Sequence, residues 1–570
     1  MAYATDQLRA LIQCAQSQRE ADLVIHNARI FHLATGEFES ADIAVVNGVI
    51  AGIGDDYHGR REIDACGMTA VPGFIDAHVH LESSVLAPNE YERLVLPHGI
   101  TTAVCDPHEL ANVVGEKAFE YLYECRKSMI MDLVIRLSSC VPASPFETSG
   151  AHLTPQVLAK WHRMHPEAGL AEFMNFPGVL NCDPEVLEKL SLFDDIDGHA
   201  PLLGGKALNA YVAAGVRNCH ECSSAQEAME KIRRGMAVFI REGGVARNLD
   251  ALMPIITVEN SPFIAFCTDD RNPLDIVEGG HIERSVARAI AAGAPPLAAY
   301  RAACSSAAAL LHLDDRGLIA PGRRADILLL SDFKNCVIDS VLVGGQLVND
   351  ALLAARPPMP DPAMLANSVK CRKVTADDFR VHSTRAELPV IRAIPNSLLT
   401  GDFTARLPRD GENILADPSQ DILKLAVIER HGVNGNIGRG FVQGLGLKHG
   451  AVASSVGHDA HNLCVAGVSD EDMALAINAI IDMQGGFAVV NDGQVLATLP
   501  LPLAGLLTPA PAREAAAQLR HAKEALVRLG CTLSSPFLQL AFLPLSVIPT
   551  LKLTDKGIVD VVHSRIIPLE

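Results

Sequence analysis

From residue 22 to residue 54, short β-branched runs alternate with Asn and Gly turns such as Asn47-Gly48, the grammar of strands joined as hairpins. A similar passage returns far downstream, from Gly317 through Asp326 into Ile-Leu-Leu-Leu and again at Ser340–Gln346. The two flanks predict one small β domain, assembled from residues 1–70 and 313–355 around an inserted middle. That middle, residues 71–312, has a different rhythm: short apolar runs end in polar residues, and each is followed by a helical stretch. Eight such runs can be placed, at Ile75–His80, Thr101–Asp106, Leu133–Ser139, Gly169–Glu172, Ile196–His199, Val216–His220, Ala237–Arg241 and Ile264–Asp269. Eight strand-then-helix units predict a (β/α)8 barrel, whose chemistry sits at the C-terminal ends of its strands. Residues 356–372 read as a linker, because Arg356–Pro362 is too proline-dense for a helix or a central strand. Residues 373–570 then predict a C-terminal α+β domain. Its strand-like stretches are 424–470 and 486–500, and its amphipathic helices are Asp470–Met483 and Pro511–Leu529. The expected fold class is α/β: a barrel, a small β domain built from segments flanking it, and that third region.

Composition narrows the function. The 570 residues carry a formal net charge of −19, which disfavours a nucleic-acid backbone or an anionic membrane surface as partner. No run of 18 apolar residues occurs, and Met1–Glu20 lacks the apolar stretch of a signal peptide. Fourteen cysteines are scattered through the chain, many of them inside apolar runs (Cys105, Cys140, Cys267). This pattern suits buried thiols in a reducing cytoplasm better than a disulfide framework. Cys219-His-Glu-Cys222 has C-x-x-C spacing, but no second such pair accompanies it.

The candidate chemistry begins at Val71–Ser84, where an apolar run ends in His78-Val-His80. Side chains i and i+2 of a strand share a face, so the two imidazoles can grip one ion. The later strand ends add Glu172, His199, His220 and Asp269. Four neutral imidazoles and two carboxylates could hold two divalent ions with Glu172 bridging. Water on such an ion approaches hydroxide near neutral pH. Asp269, beside that water, could carry its proton to a leaving group. Glu82, two residues past His80, is the candidate for a second proton carrier or for a partner that orients a histidine.

The run Pro-Gly-Phe-Ile-Asp-Ala-His-x-His, followed by Glu, His, His and Asp, resembles the amidohydrolase superfamily. Within it, His80–Ser84, Cys105–Glu109, Ser138–Pro142, Ala171–Gly178, Asp197–Pro201, Arg241–Asn248 and Cys267–Asn272 resemble the bacterial adenine deaminase family, as do His458–Asn462 and Val547–Leu553. The resemblance implies adenine and water as substrates, hypoxanthine and ammonia as products, and a binuclear site of Mn(2+) or Fe(2+). Zn(2+) is also compatible with the ligand types. It assigns the metal roles to His78, His80, Glu172, His199, His220 and Asp269. Glu172 takes the bridging place that a carboxylated lysine fills in many relatives, and Leu170–Gly178 contains no lysine. The H-x-E and P-C-x-x-C signature of the other nucleobase deaminases is absent.

Candidate substrate contacts are His108 and Glu109 after the second strand, Glu242 and Arg247 after the seventh, and His458 and His461 in the third region. The third region would act as a lid or wall. The ligand set itself does not choose between an amidine and an amide carbon, so cyclic amide hydrolysis or deamination of a different heterocycle is the rival reaction. A non-catalytic metal scaffold is disfavoured because all six ligands are present. Large barrel enzymes are often symmetric, so a homo-oligomer is expected.

Overall fold

A computed structural model describes residues 4–569. Strands from both flanks form one sheet. β1 (Leu23–Phe31), β2 (Phe38–Val46) and β3 (Val49–Gly54) are a meander, β4 (Glu62–Asp64) pairs with β1, and β5 (Thr69–Pro72) leads into the barrel. β14 (Ile327–Asp332), β15 (Val337–Val343) and β16 (Gln346–Leu347) return to it, with β14 antiparallel to β5. Chain segments from the two sides of the barrel thus close one small core of Leu23, Ile25, Ile43, Ile327 and Leu329.

The barrel strands are β6 (Phe74–Val79), β7 (Ile100–Cys105), β8 (Asp132–Ile135), β9 (Leu170–Phe173), β10 (Ile196–Gly198), β11 (Asn218–Cys219), β12 (Ala237–Arg241) and β13 (Ile264–Cys267). Neighbours run parallel from β6 to β8, from β9 to β10 and from β11 to β13. Leu137 bridges to Leu170, and Arg217 N donates to Ile196 O. The ring closes where Asp269 N donates to His78 O (3.0 Å) and His80 N donates to Asp269 O (3.1 Å). Every residue of β6 and β7 is buried, as expected for parallel strands covered on both faces.

The third region is built on an eight-stranded sheet. Its strands are β17 (Leu388–Ala393), β18 (Thr400–Ala405), β21 (Ile422–Ile428), β22 (Ile437–Gln443), β23 (Ala451–Ser454), β24 (Leu463–Gly467), β25 (Gly486–Asn491) and β26 (Gln494–Pro500), in the order 18-17-22-21-24-23-25-26. A short hairpin, β19 (Arg409–Asp410) and β20 (Asn413–Ile414), precedes β21. The helix Asp470–Met483 starts where Ser469 Oγ accepts from Asp472 N, with three acids in its first turn opposing the helix dipole. The helix Ala512–Arg528 packs against β26 and against the barrel-side helix Pro273–Gly279. Near the C-terminus β27 (Leu551–Thr554), β28 (Gly557–Asp560) and β29 (Arg565–Ile567) form a small sheet. Gly438 lets β27 cross close to β22, since a Cβ there would stand 1.8 Å from Thr554 O. One continuous apolar core joins barrel residues such as Leu86 and Leu110 to Leu423, Phe487, Leu507 and Phe537 of the third region.

The strand-like stretches 424–470 and 486–500 and both anticipated helices are present. The pair β17–β18 had no clear sequence signal, because a proline and a glycine interrupt its apolar residues. Among the described residues all fourteen cysteines are free thiols, and no helix is long and apolar enough to cross a membrane.

Candidate metal and catalytic site

The C-terminal ends of the barrel strands converge on Glu172, which leaves β9 with its carboxylate fully enclosed. One oxygen, Oε1, lies 4.0 Å from His78 Nε2, 3.3 Å from His80 Nε2 and 3.4 Å from His108 Nδ1. The other, Oε2, lies 2.7 Å from His199 Nδ1 and 3.2 Å from His220 Nε2. Asp269 enters from the end of β13, its Oδ1 3.0 Å from His80 Nε2 and 3.7 Å from His78 Nε2. Asp269 holds φ 57°, a left-handed conformation that redirects the chain at the strand end. All six residues expected to form a metal centre therefore come together.

Their protonation follows from their neighbours. His80 Nδ1 is 3.0 Å from Asp106 O, which can only accept, so that nitrogen carries the proton and Nε2 presents a lone pair. This lone pair faces His78 Nε2 at 3.3 Å and carboxylate oxygens of Glu172 and Asp269. Lone pairs packed against lone pairs away from water require positive charge between them. Divalent cations supply it, and the buried donor groups His78/His220/Asp269 and Glu172/His199/His220 have the spacing to hold them.

Arg241, at the end of β12, is the fixed cation of the site and is 2% exposed. Its guanidinium contacts Glu221, lies 2.5 Å from Asp269 Oδ2 and donates to Asp270 Oδ2 at 3.2 Å. Burial by itself would raise the Asp269 carboxyl, but the Arg241 charge holds it well below the usual carboxylate range. Glu172 is held low in the same way, burial being outweighed by His199. Arg241 meets Oδ2, so the other oxygen of Asp269, Oδ1, is the one turned to the imidazoles of His80 and His78.

A pocket opens at these groups. His80, His108, Glu172, His199, His220, Glu221, Arg241, Asp269 and Asp270 form its floor, and Met174, Leu398, His458, Asp459, Phe542 and Leu545 complete it. Five of those last six come from the third region, which roofs the barrel mouth. His458 stacks on Phe542 with ring centroids 4.8 Å apart. Burial would lower its imidazole, yet Glu109 and Asp459 push it up to about 9. His108 is oriented by Asp106, whose Oδ2 is 3.1 Å from its Nδ1.

The remaining anticipated residues separate. His108 and His458 line the cavity, whereas Glu109 and His461 stand behind them, with Glu109 Oε2 3.7 Å from His461 Nε2. Glu242 and Arg247 were expected at the substrate and point elsewhere. Glu242 pairs with Arg288 and accepts from Leu249 N, and Arg247 donates to the carbonyls of Gly243 and Gly244. Glu242 stays buried but is taken up by Arg288, and Arg247 lies at the surface. Glu82 also departs from expectation. The strand ends at Val79 and a 3-10 turn, Leu81–Ser84, follows, so two-residue periodicity no longer holds. Its Oε1 instead accepts from Leu110 N, and burial beside Glu109 pushes it up to about 8. Sequence reasoning missed Glu221, directly after His220, and Asp106. Adjacency to a strand end was their only signal. The apolar roof residues carry no local signal.

A cluster of imidazoles and carboxylates at the strand ends of a parallel eight-stranded barrel defines the metal-dependent hydrolases of the amidohydrolase type. Residues 69–348 match the amidohydrolase family, and residues 397–565 match the adenine deaminase C-terminal domain. The chain is 52% identical over 560 residues to adenine deaminase 1 of Rhizobium meliloti (strain 1021), covering 98% of this chain and 99% of that one. It is 53% identical over 551 residues to an adenine deaminase of Methylobacterium nodulans, covering 96% and 97%. It belongs to the adenine deaminase family. Among solved structures a D-hydantoinase aligns at 14% identity with a TM-score of 0.43, over 58% of this chain and 95% of that one.

Proposed function

We propose that the chain hydrolyses free adenine to hypoxanthine and ammonia, with two divalent ions, Mn(2+) or Fe(2+), held by His78, His80, Glu172, His199, His220 and Asp269. The observation that carries this reading is the meeting of all six donors in one buried cluster, in a chain that matches adenine deaminases over nearly its full length. Bound there, the ions would bring a water molecule close to neutral acidity and polarise the site. The chain's own residues do the rest. Asp269, whose carboxylate Arg241 holds by Oδ2, accepts the proton of the attacking water and returns it to the exocyclic nitrogen. A C6–O bond forms, the C6–N6 bond breaks, and the amine leaves as ammonia. His108 and His458 face the base, and Leu398, Phe542 and Leu545 cover it and exclude bulk water.

The domain reading that accompanies this function has residues 71–312 as the barrel, 1–70 and 313–355 as the small β unit, 356–372 as a linker and 373–570 as the roofing region. The test is ammonia release from adenine by protein reconstituted with manganese or ferrous iron under reducing conditions, with adenosine, cytosine and a chelated sample alongside. Metal-dependent release from adenine alone is the expected result. A folded, metal-loaded sample that releases none refutes the reading.

A further inference from the structure

Lys552 lies at the centre of β27, fully buried in the third region, and the reaction described above makes no use of it. Its Nζ donates to Leu398 O at 2.8 Å and to Phe542 O at 2.9 Å. These two carbonyls belong to different chain segments, and the side chains of both residues form the roof of the cavity. We infer that Lys552 is a positioning residue that staples the two roof segments together, setting where Leu398, Phe542 and the stacked His458 meet the bound base. This rests on the proposed function, because it takes the cavity as the place where the base binds.

Three observations support it. First, the roof is a small apolar cluster of its own, Val245, Leu398, Phe542, Leu545 and Ile548, apart from the large core. A cluster of this size offers little packing to hold two loops in register. Second, β27 is braced against both segments. Thr400 N donates to Pro549 O, Thr400 Oγ1 donates to Leu551 O, and Leu553 N donates to Leu543 O. Lys552 thus stands on a fixed platform between them. Third, the lysine serves no ion pair: burial pushes its amine down to about 7 with no charge opposing. An amine has two N–H groups and an ammonium three, so two carbonyls can be served in either state. Hydrogen bonding to backbone, not charge, is what this side chain contributes here. Phe542 in turn carries His458, so the staple acts on the polar wall as well as the apolar roof.

The test uses the full chain loaded with manganese and the substitution Lys552→Met, which keeps an unbranched apolar stem and removes both donors. The KM for adenine is expected to rise roughly tenfold with kcat nearly unchanged, because contacts made equally to substrate and transition state are lost. Amide hydrogen exchange in residues 396–400 and 540–546 is expected to quicken together, with metal content unchanged. A purely structural lysine would lower the melting temperature and leave both KM and the exchange of those segments at wild-type values; that outcome overturns the inference. If the methionine variant does not fold, Lys552→Leu, which also removes both donors, is read by the same measurements, and a wild-type KM and exchange pattern there overturns it equally. A metal-loaded wild-type sample that is inactive on adenine refutes the functional reading instead, and the exchange measurement then decides the staple by itself.

Discussion

Arg241→Met is the sharpest single perturbation of the site. The guanidinium is 2% exposed and meets three carboxylates, on Glu221, Asp269 and Asp270. At a charge separation of about 4 Å and an effective dielectric near 20, each such contact is worth roughly 4 kcal/mol before desolvation is subtracted. Removing one partner of a buried pair leaves the other charged and dry, at a net cost of about 3–5 kcal/mol. For a unit the size of the barrel, about 2–4 °C of melting temperature accompanies each kcal/mol, so a fall of about 6 °C or more is expected. The sign with pH is also fixed. Arg241 depresses the Asp269 carboxyl, so its stabilisation is present above the unfolded carboxyl pKa and lost as pH falls through the folded one. The gap between variant and wild type is therefore widest at neutral pH and narrows in acid. Activity follows the same charge: without the cation Asp269 takes up a proton at higher pH, and the acid limb of the kcat/KM profile moves upward. Thermal melts carried from neutral pH down to about pH 3 and ammonia release recorded from about pH 5 to 9, at matched metal content, measure the two effects. A variant that melts within about 2 °C of wild type and keeps its acid limb in place would refute the reasoning.

Other perturbations probe separate parts of it. Asp269→Asn keeps the shape and removes the basic oxygen, so kcat should fall by roughly 10²–10⁴; a loss smaller than tenfold would show that another group moves the proton. Glu172→Gln replaces the carboxylate proposed to bridge the two ions by an amide with one ligating oxygen, and elemental analysis should find fewer than two tightly bound metals per chain. His431 in the third region donates from Nε2 to Ala460 O at 2.8 Å, and burial, then the Arg430 charge, pushes it down to about 4. Its neutral form is the folded one, so stability should be lost as pH falls from about 6.5 to 4, by about 3 kcal/mol in all. Denaturant unfolding of His431→Gln should show a shallower pH slope over that window, and an unchanged slope contradicts this. Deleting everything after Pro362 strips Leu423, Phe487, Leu507 and Phe537 from a core shared with the barrel, so the fragment should aggregate; a soluble monomer with full activity would rule out the roof.

The linear order of residues determined a large part of this protein. A barrel strand buried on both faces reads as an apolar run, and the chain must leave it through a polar residue at the open end. His78, His80, Glu172, His199, His220 and Asp269 could therefore be picked out one strand end at a time. The split β unit was legible for the same reason, because hairpin turns and alternating strands are local signals. Tertiary structure decided what local pattern cannot encode. Glu82 has the spacing of a neighbour of His80, but a 3-10 turn begins before it and gives its carboxylate to Leu110 N. Glu242 and Arg247 are as polar as Arg241, yet only Arg241 meets Asp269, while Glu242 pairs with Arg288 and Arg247 lies exposed. The roof is the extreme case. Leu398 and Phe542 are ordinary apolar residues 144 positions apart, brought over the cluster of imidazoles and carboxylates by a strand whose lysine holds both carbonyls. Strand ends are properties of a few consecutive residues. Burial, ion pairing and the closure of a cavity depend on which distant segments share a space, and only the folded chain settles that.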